Sequence, residues 1–192
     1  MSLDHSVATY IDHHRSAALT HVAWFVTGFG NEVTIALVTV ALIAVTYWRG
    51  WHRDALMVFV GMGGSVSLIF GLKHLVQRSR PGAQFRLPTA AADHSYSFPS
   101  GHTLDATVFV ILLVAVLLPR VSRPGAQIAA VLGAALVALG VGASRLYLGY
   151  HWATDVIGAL VIGSAWGLSV IWWSRTWTVS NEAAAEPVPA RR

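Results

Sequence analysis

Three stretches without a single charged side chain, Ala55 to Leu72, Pro124 to Ser144 and Val156 to Ser174, constrain this chain more than any other feature. A helix rises about 1.5 Å per residue, so roughly 20 apolar residues carry it across the hydrocarbon core of a bilayer. Each of the three approaches or exceeds that length. Val33 to Trp48 and Thr103 to Pro119 are shorter, and the second carries Asp105, but both are rich in Val, Leu, Ile and Ala and bounded by charge or proline. They count as two further spans. With 55% hydrophobic and 11% charged residues over 192 positions, and a mean hydropathy of +0.57, a soluble globular domain is excluded. The expected fold class is all-α: a polytopic membrane helix bundle of six helices, five of them spans.

The sixth helix is Ser16 to Gly30, uncharged but short, carrying His21 and several small polar residues. It reads as a sixth span or an interfacial helix, with the span preferred. Asp4, Asp12 and scattered histidines replace the basic and apolar regions of a secretory signal. Residues 1–178 are expected to form one domain. Residues 179–192, Ala, Pro and charge without periodicity, read as a disordered tail.

A formal charge of +4 and a pI near 10 raise the question of nucleic acid, but the basic residues are scattered over short loops and form no aromatic-interleaved patch. Topology explains them better. Arg49 and Arg53, Arg120 and Arg123, and Arg175, Arg191 and Arg192 mark three cytoplasmic regions by the positive-inside bias. The two remaining connections, Lys73 to Gly101 and Arg145 to Tyr150, then face the opposite side. Cysteine is absent, which removes disulfides, thiolate metal sites and a thiol nucleophile.

Nearly all the reactive polar residues fall in those two connections, in three clusters. The first is KHLVQRSRP, where Lys73 sits on a last helical turn and Pro81 disfavours helix at Arg80. The second is PSGH, residues 99–102. A helix starting near Ser100 leaves its first amides unsatisfied, with the positive end of the helix dipole behind them, which makes an anion site. Gly101 permits close approach, Ser100 can cap the helix or donate its hydroxyl, and His102 follows within reach. The third is SRLYLGYHWATD, in which His151 and Asp155 are four apart at a helix start. On one face, the carboxylate fixes one ring nitrogen and leaves the other free as nucleophile or base. Arg145 adds a planar fork for an anion.

Lys73, Arg80 and Arg145 imply an anionic substrate. A divalent-metal hydrolase needs several carboxylates or a dense histidine set, and neither pattern occurs, so the expectation is phosphoryl transfer with no metal and no cofactor. One histidine attacks phosphorus and the other protonates the leaving oxygen; the residues alone leave the two exchangeable.

Lys73, six residues, Arg80-Pro81, then Pro99-Ser100-Gly101-His102, then Ser144-Arg145, five residues, His151, three residues and Asp155 resemble the tripartite signature of the type 2 phosphatidic acid phosphatase (PAP2) superfamily, which includes the vanadium haloperoxidases. All three parts match. The resemblance implies a six-helix membrane phosphatase with a PAP2/haloperoxidase-like core and its site at the outer ends of the later spans. It implies His151 as nucleophile forming a phosphohistidine, Asp155 as its orienting partner and His102 as general acid. Lys73, Arg80, Ser100, Gly101 and Arg145 are implied to hold the phosphate.

The expected substrate is a lipid phosphate whose tail stays in the bilayer, with polyprenyl (undecaprenyl) diphosphate preferred and hydrolysed to the monophosphate for cell-wall synthesis. Phosphatidic acid and phosphatidylglycerol phosphate are alternatives, as are a lipid phosphotransferase and, outside enzymology, an anionic lipid transporter. The location expected is a bacterial cytoplasmic membrane, with the site extracytoplasmic. Elsewhere, His13, His14 and His21 read as interfacial polar residues, His74 and Arg78 as helix-face or headgroup contacts, Asp93, His94 and Tyr96 as a solvated loop, with lining of the site entrance as the alternative, and Asp105 as tuning His102 or facing the bundle interior.

Overall fold

In a bilayer every backbone amide must be satisfied within the chain, and helices do so locally. The computed structural model is accordingly all-helical among its described residues, 2–185, with side chains described through Thr176. It contains seven α-helices rather than six: α1 (Leu3–His13), α2 (Ala17–Thr27), α3 (Glu32–Trp48), α4 (His52–Val76), α5 (Gly101–Leu117), α6 (Pro124–Tyr147) and α7 (Ala153–Ala185). The additional helix is α1, whose exposed and half-buried positions alternate around Asp4, its one buried residue. Helix α7 continues to Ala185, into the segment expected to be a disordered tail, and 186–192 lie outside the described residues.

Four helices, over His52–Val76, Gly101–Arg120, Pro124–Tyr147 and Ala153–Thr176, are long and apolar enough to span by themselves. Val33 to Trp48, expected as an independent span, qualifies only with the preceding helix, as a pair bent by 44° that makes a fifth. The preference for residues 16–30 as a sixth span is corrected for a physical reason. Helix α2 has 11 residues, and at about 1.5 Å per residue it falls well short of the roughly 30 Å core. Its two ends also contact the same end of the bundle. The Ser16 amide donates to Tyr147 Oη at 2.9 Å, while Thr27 Oγ1 accepts from Arg145 at 3.0 Å.

Helix α5 occupies the centre, packed by α3, α4, α6 and α7. Leu104, Val108, Leu112 and Val116 recur every four residues and are fully buried, against Val58 and Met62 of α4 and Ala159 and Val170 of α7. Where α4 ends, Gln77 adopts a left-handed conformation (φ 49°) and its N–H returns to the Lys73 carbonyl, so the helix stops at Val76, earlier than Pro81 requires. The released strand carries Arg78 and Arg80 toward α7.

The turn from α6 to α7 depends on Gly149, which has φ +78° and leaves no room for a side chain: a Cβ there would lie 2.0 Å from the Phe85 carbonyl oxygen. Left-handed geometry alone costs a β-carbon about 1–2 kcal/mol, and the clash with fixed backbone adds to it. Gly149→Ala should lower the thermal unfolding midpoint in detergent, whereas Gly133→Ala, where nothing lies within 4 Å, should not. Equal midpoints would contradict this packing.

Candidate active site

Asp155 is fully buried at the start of α7, and each carboxylate oxygen is occupied. Oδ1 accepts from Arg78 at 2.5 Å; Oδ2 accepts from the Trp152 amide at 2.8 Å and from Ser97 Oγ. His151, 5% exposed, places Nδ1 3.6 Å from the same Oδ2, an electrostatic rather than a hydrogen-bonding distance. Its Nε2 lies on the other side, 3.2 Å from an Arg80 nitrogen. The two residues are brought side by side, but the expected hydrogen bond is not made, and Nδ1 is buried without a hydrogen-bond partner among the described residues. His151 sits just ahead of α7, not on it, so the pair closes across the turn into the helix.

Arg80 is held on all sides: Nε and one terminal nitrogen donate to the Ser95 carbonyl and hydroxyl, each at 2.8 Å, and the other donates to the Tyr150 carbonyl at 2.8 Å. Asp93 pairs with it at 2.7 Å. Lys73 Nζ reaches the same Ser95 hydroxyl at 2.9 Å, so one serine links two of the sequence-identified cations. Arg145 stacks its guanidinium over the Tyr150 ring at 4.1 Å, and its buried Nε has no hydrogen-bond partner among the described residues. With His102, Asp93 and Tyr150 it lines a cavity of about 480 Å³. Gly101 and Lys73 instead border a groove of about 560 Å³ whose other walls are largely apolar residues of α3 and α4. Ser100 is the N-cap residue of α5, but its buried hydroxyl meets Thr103 Oγ1 at 2.9 Å rather than a helix amide.

Other contributors were not evident in the sequence. Arg78, expected at a helix face or headgroup, bridges Asp155 to Asp4 of α1, at 2.5 Å to each. Asp4 also accepts from the Thr154 amide at 2.9 Å. Asp93 is part of the site rather than of a solvated loop. His14 and His21 bond to carbonyls of their own helices, and His74 does likewise at 2.8 Å from the Phe70 oxygen. Asp105 faces inward and accepts from Ser65.

Burial pushes the His151 imidazole down to about 4; Asp155 pulls upward and the Arg80 and Arg145 cations press the other way. Arg80 is also lowered, chiefly by burial, with Asp93 opposing. Burial acts against the charge of Asp93, but the Ser95 amide and Arg80 outweigh it and its pKa falls. Burial likewise acts against Arg78, and Asp4 and Asp155 outweigh it, so its pKa rises. His151 is thus neutral at pH 7, with Nε2 available. In nitrogen-15 NMR of the histidine-labelled protein it should titrate near 4. Arg78→Gln removes a cation beside Asp155, favours imidazolium and should move that midpoint upward; a wild-type midpoint near 6.5 would contradict the buried setting.

The PAP2 superfamily profile matches residues 54–178, which include every residue of the three sequence clusters. Phosphatidylglycerophosphatase B of Bacillus subtilis is 32% identical over 120 residues, 61% of this chain and 55% of that protein. An undecaprenyl-diphosphatase of Sulfolobus acidocaldarius is 28% identical over 159 residues, covering 80% and 70%. The chain spans about half the length of the first of these. Among solved structures, a transmembrane PAP2 type phosphatidylglycerolphosphate phosphatase of Bacillus subtilis superposes with TM-score 0.81 at 26% identity over 90% of this chain and 85% of that one. LpxE of Aquifex aeolicus shares the fold, with TM-score 0.70 at 20% identity over 89% and 96%. With a matched profile over most of its length and the three clusters gathered at one end of its bundle, the chain belongs to the PAP2 superfamily.

Proposed function

We propose that this protein is an integral membrane lipid phosphatase working through a phosphohistidine at His151. The observation that carries the reading is the imidazole itself: Nδ1 faces the buried Asp155 carboxylate and Nε2 lies beside Arg80. A substrate phosphate takes its charge compensation from Lys73, Arg80 and Arg145 and from the first amides of α5, beginning at Gly101; the Ser100 amide already donates to the Asp155 carbonyl. Nε2 attacks phosphorus in line; the P–N bond forms as the P–O bond to the leaving group breaks, and protonated His102 gives its proton to the departing oxygen. Neutral His102 then takes a proton from water, whose oxygen displaces His151 and releases inorganic phosphate. The cations do what a metal does in other phosphatases, which is to neutralise charge building on the equatorial oxygens.

The groove bordered by Lys73 and Gly101 supports a lipid substrate. Ile35, Ile43, Phe59, Met62 and Phe70 line it, so an acyl or prenyl chain can lie there with its phosphate among the cations. Two substrates fit this arrangement. Polyprenyl diphosphate, cleaved to the monophosphate, has support in the undecaprenyl-diphosphatase that matches 80% of the chain. Phosphatidylglycerol phosphate has support in the phosphatidylglycerolphosphate phosphatase that superposes over 90% of it.

Phosphate release from both lipids by the purified protein, with EDTA present throughout, tests the reading. His151→Ala should lower release by about three orders of magnitude or more. His102→Ala should cost about 10²- to 10⁴-fold on alkyl or prenyl phosphates and far less on nitrophenyl phosphate, whose leaving group needs no proton. A strict divalent-metal requirement, or an active His151→Ala protein, would overturn the mechanism. A polyprenyl-to-phosphatidylglycerol phosphate rate ratio well above one selects the first substrate, and a ratio well below one the second.

We also propose a bacterial cytoplasmic membrane location with the site on the extracytoplasmic side, supported by the arginines at the other bundle end. A cysteine introduced between Thr89 and Ser95 should be labelled by an impermeant reagent on intact cells; labelling only after lysis would reverse the orientation.

A further inference from the structure

The end of the bundle opposite His151 holds a second concentration of cations. Where α3 turns into α4 and where α5 and α7 finish, a cavity of about 420 Å³ is lined by Arg53, Arg120 and Arg175, with His52 and Trp51 beside them. Asp54, paired with Arg120, is the one carboxylate among its lining residues, so the lining is net positive. The cations are arranged by the helices: Arg53 donates to the Ser174 carbonyl at 2.8 Å, and Arg120 lies flat on the Trp51 ring, its Cζ 3.6 Å from the centroid.

A second space adjoins this cavity. It is larger, about 590 Å³, lies between α5, α6 and α7, and is also lined by Ala115, Ile171 and Arg175. Its remaining walls are almost wholly apolar, including Val114, Val131, Ala135 and Leu168. Arginines in a cavity that shares Ala115, Ile171 and Arg175 with a neighbouring apolar groove match one molecule, with an anionic head and a hydrocarbon tail. Basic pockets between spans near the headgroup level are suited to such lipids.

We infer that the Arg53, Arg120 and Arg175 cavity, together with the α5–α6–α7 groove, is a binding site for an anionic phospholipid, separate from the phosphate site at the other end. The headgroup phosphate sits among the guanidinium groups, and an acyl chain runs along the groove. The lipid is held there rather than cleaved: His52 and Asp54 both line the cavity, but Asp54 is paired with Arg120, and among the described residues no carboxylate orients His52. The site does not depend on the identity of the hydrolysed substrate.

The test is native mass spectrometry of the full purified chain titrated with dioleoylphosphatidylglycerol and, in parallel, dioleoylphosphatidylcholine. Retention of the anionic lipid should exceed that of the zwitterionic one, and Arg53→Gln/Arg175→Gln should weaken it by about tenfold or more. His151→Ala should leave retention unchanged. Ala135→Trp, at an exposed position that fills the groove, should weaken the dioleoyl lipid while leaving dihexanoylphosphatidylglycerol bound as before; it decides the matter if the double arginine variant fails to fold. Equal retention of both lipids, or undiminished retention in the double arginine variant, would overturn the site. Displacement by inorganic phosphate alone would make it a site for a free anion, and a dimer that excludes lipid would make the groove a protein interface.

Discussion

The buried carboxylate of Asp155 is the interaction on which the rest of the site depends. An ionised group away from water costs several kcal/mol unless it is paired and hydrogen-bonded, and here the demand is met by two distant segments and by the turn just ahead of it. Arg78 comes from beyond α4, Ser97 from the long connection before α5, and the Trp152 amide from the turn into α7. Satisfying one carboxylate therefore fixes both ends of the long connection against α7. His151 takes its position as a consequence, between Asp155 on one side and Arg80 on the other. Asp4 extends the arrangement, since it shares Arg78 and draws α1 onto the same surface.

The bundle supplies the rigidity that this requires. Helix α5 is enclosed by four neighbours, and its apolar ladder holds the PSGH segment at a fixed height relative to α7. Charge is otherwise kept out of the spans. Asp105, about one turn into α5, turns inward and receives the Ser65 hydroxyl, as a buried polar group must. Cations gather at both ends instead, but the two groups differ in what surrounds them. Around Lys73, Arg80 and Arg145 stand a histidine pair and helix amides, which make chemistry available. Around Arg53, Arg120 and Arg175 stand Trp51, His52 and the neighbouring apolar groove, with the one carboxylate among the described lining residues, Asp54, taken up by Arg120.

Much of the fold was legible because a bilayer imposes a simple rule, that long uncharged runs become helices. Ala55 to Leu72, Pro124 to Ser144 and Val156 to Ser174 all lie inside helices that span by themselves. The rule fails for short segments. Residues 16–30 are uncharged like 33–48 but shorter and less apolar, and α2 is held at one end of the bundle by contacts with Tyr147 and Arg145. Helix α1 went unread because its apolar face is only Val7, Ala8 and Ile11 and its anchor, Asp4, finds its partners 74 and 150 positions away.

The same distinction runs through the site. Lys73, Arg80, Ser100, Gly101, His102, Arg145, His151 and Asp155 stood out in the sequence through a helix end, a cap, a pair four residues apart and the PAP2-like spacing that joins them. Ser97 and Arg78 carry no such signal, since a serine in a loop and an arginine after a helix are ordinary in isolation. Their meaning arises only when the chain closes 58 and 77 residues onto Asp155. Asp93 is a harder case, because a carboxylate among cations that bind an anion looks out of place. Its bond to Arg80 leaves that guanidinium compensated and oriented. A cation buried beside another cation, with Lys73 sharing Ser95, needs that counter-charge before any substrate arrives. Residues that contact a ligand can be recognised from the chemistry the ligand demands. Those that hold the ligand-free site together answer to the protein's own electrostatics, and the sequence displays these only after the fold has brought the charges together.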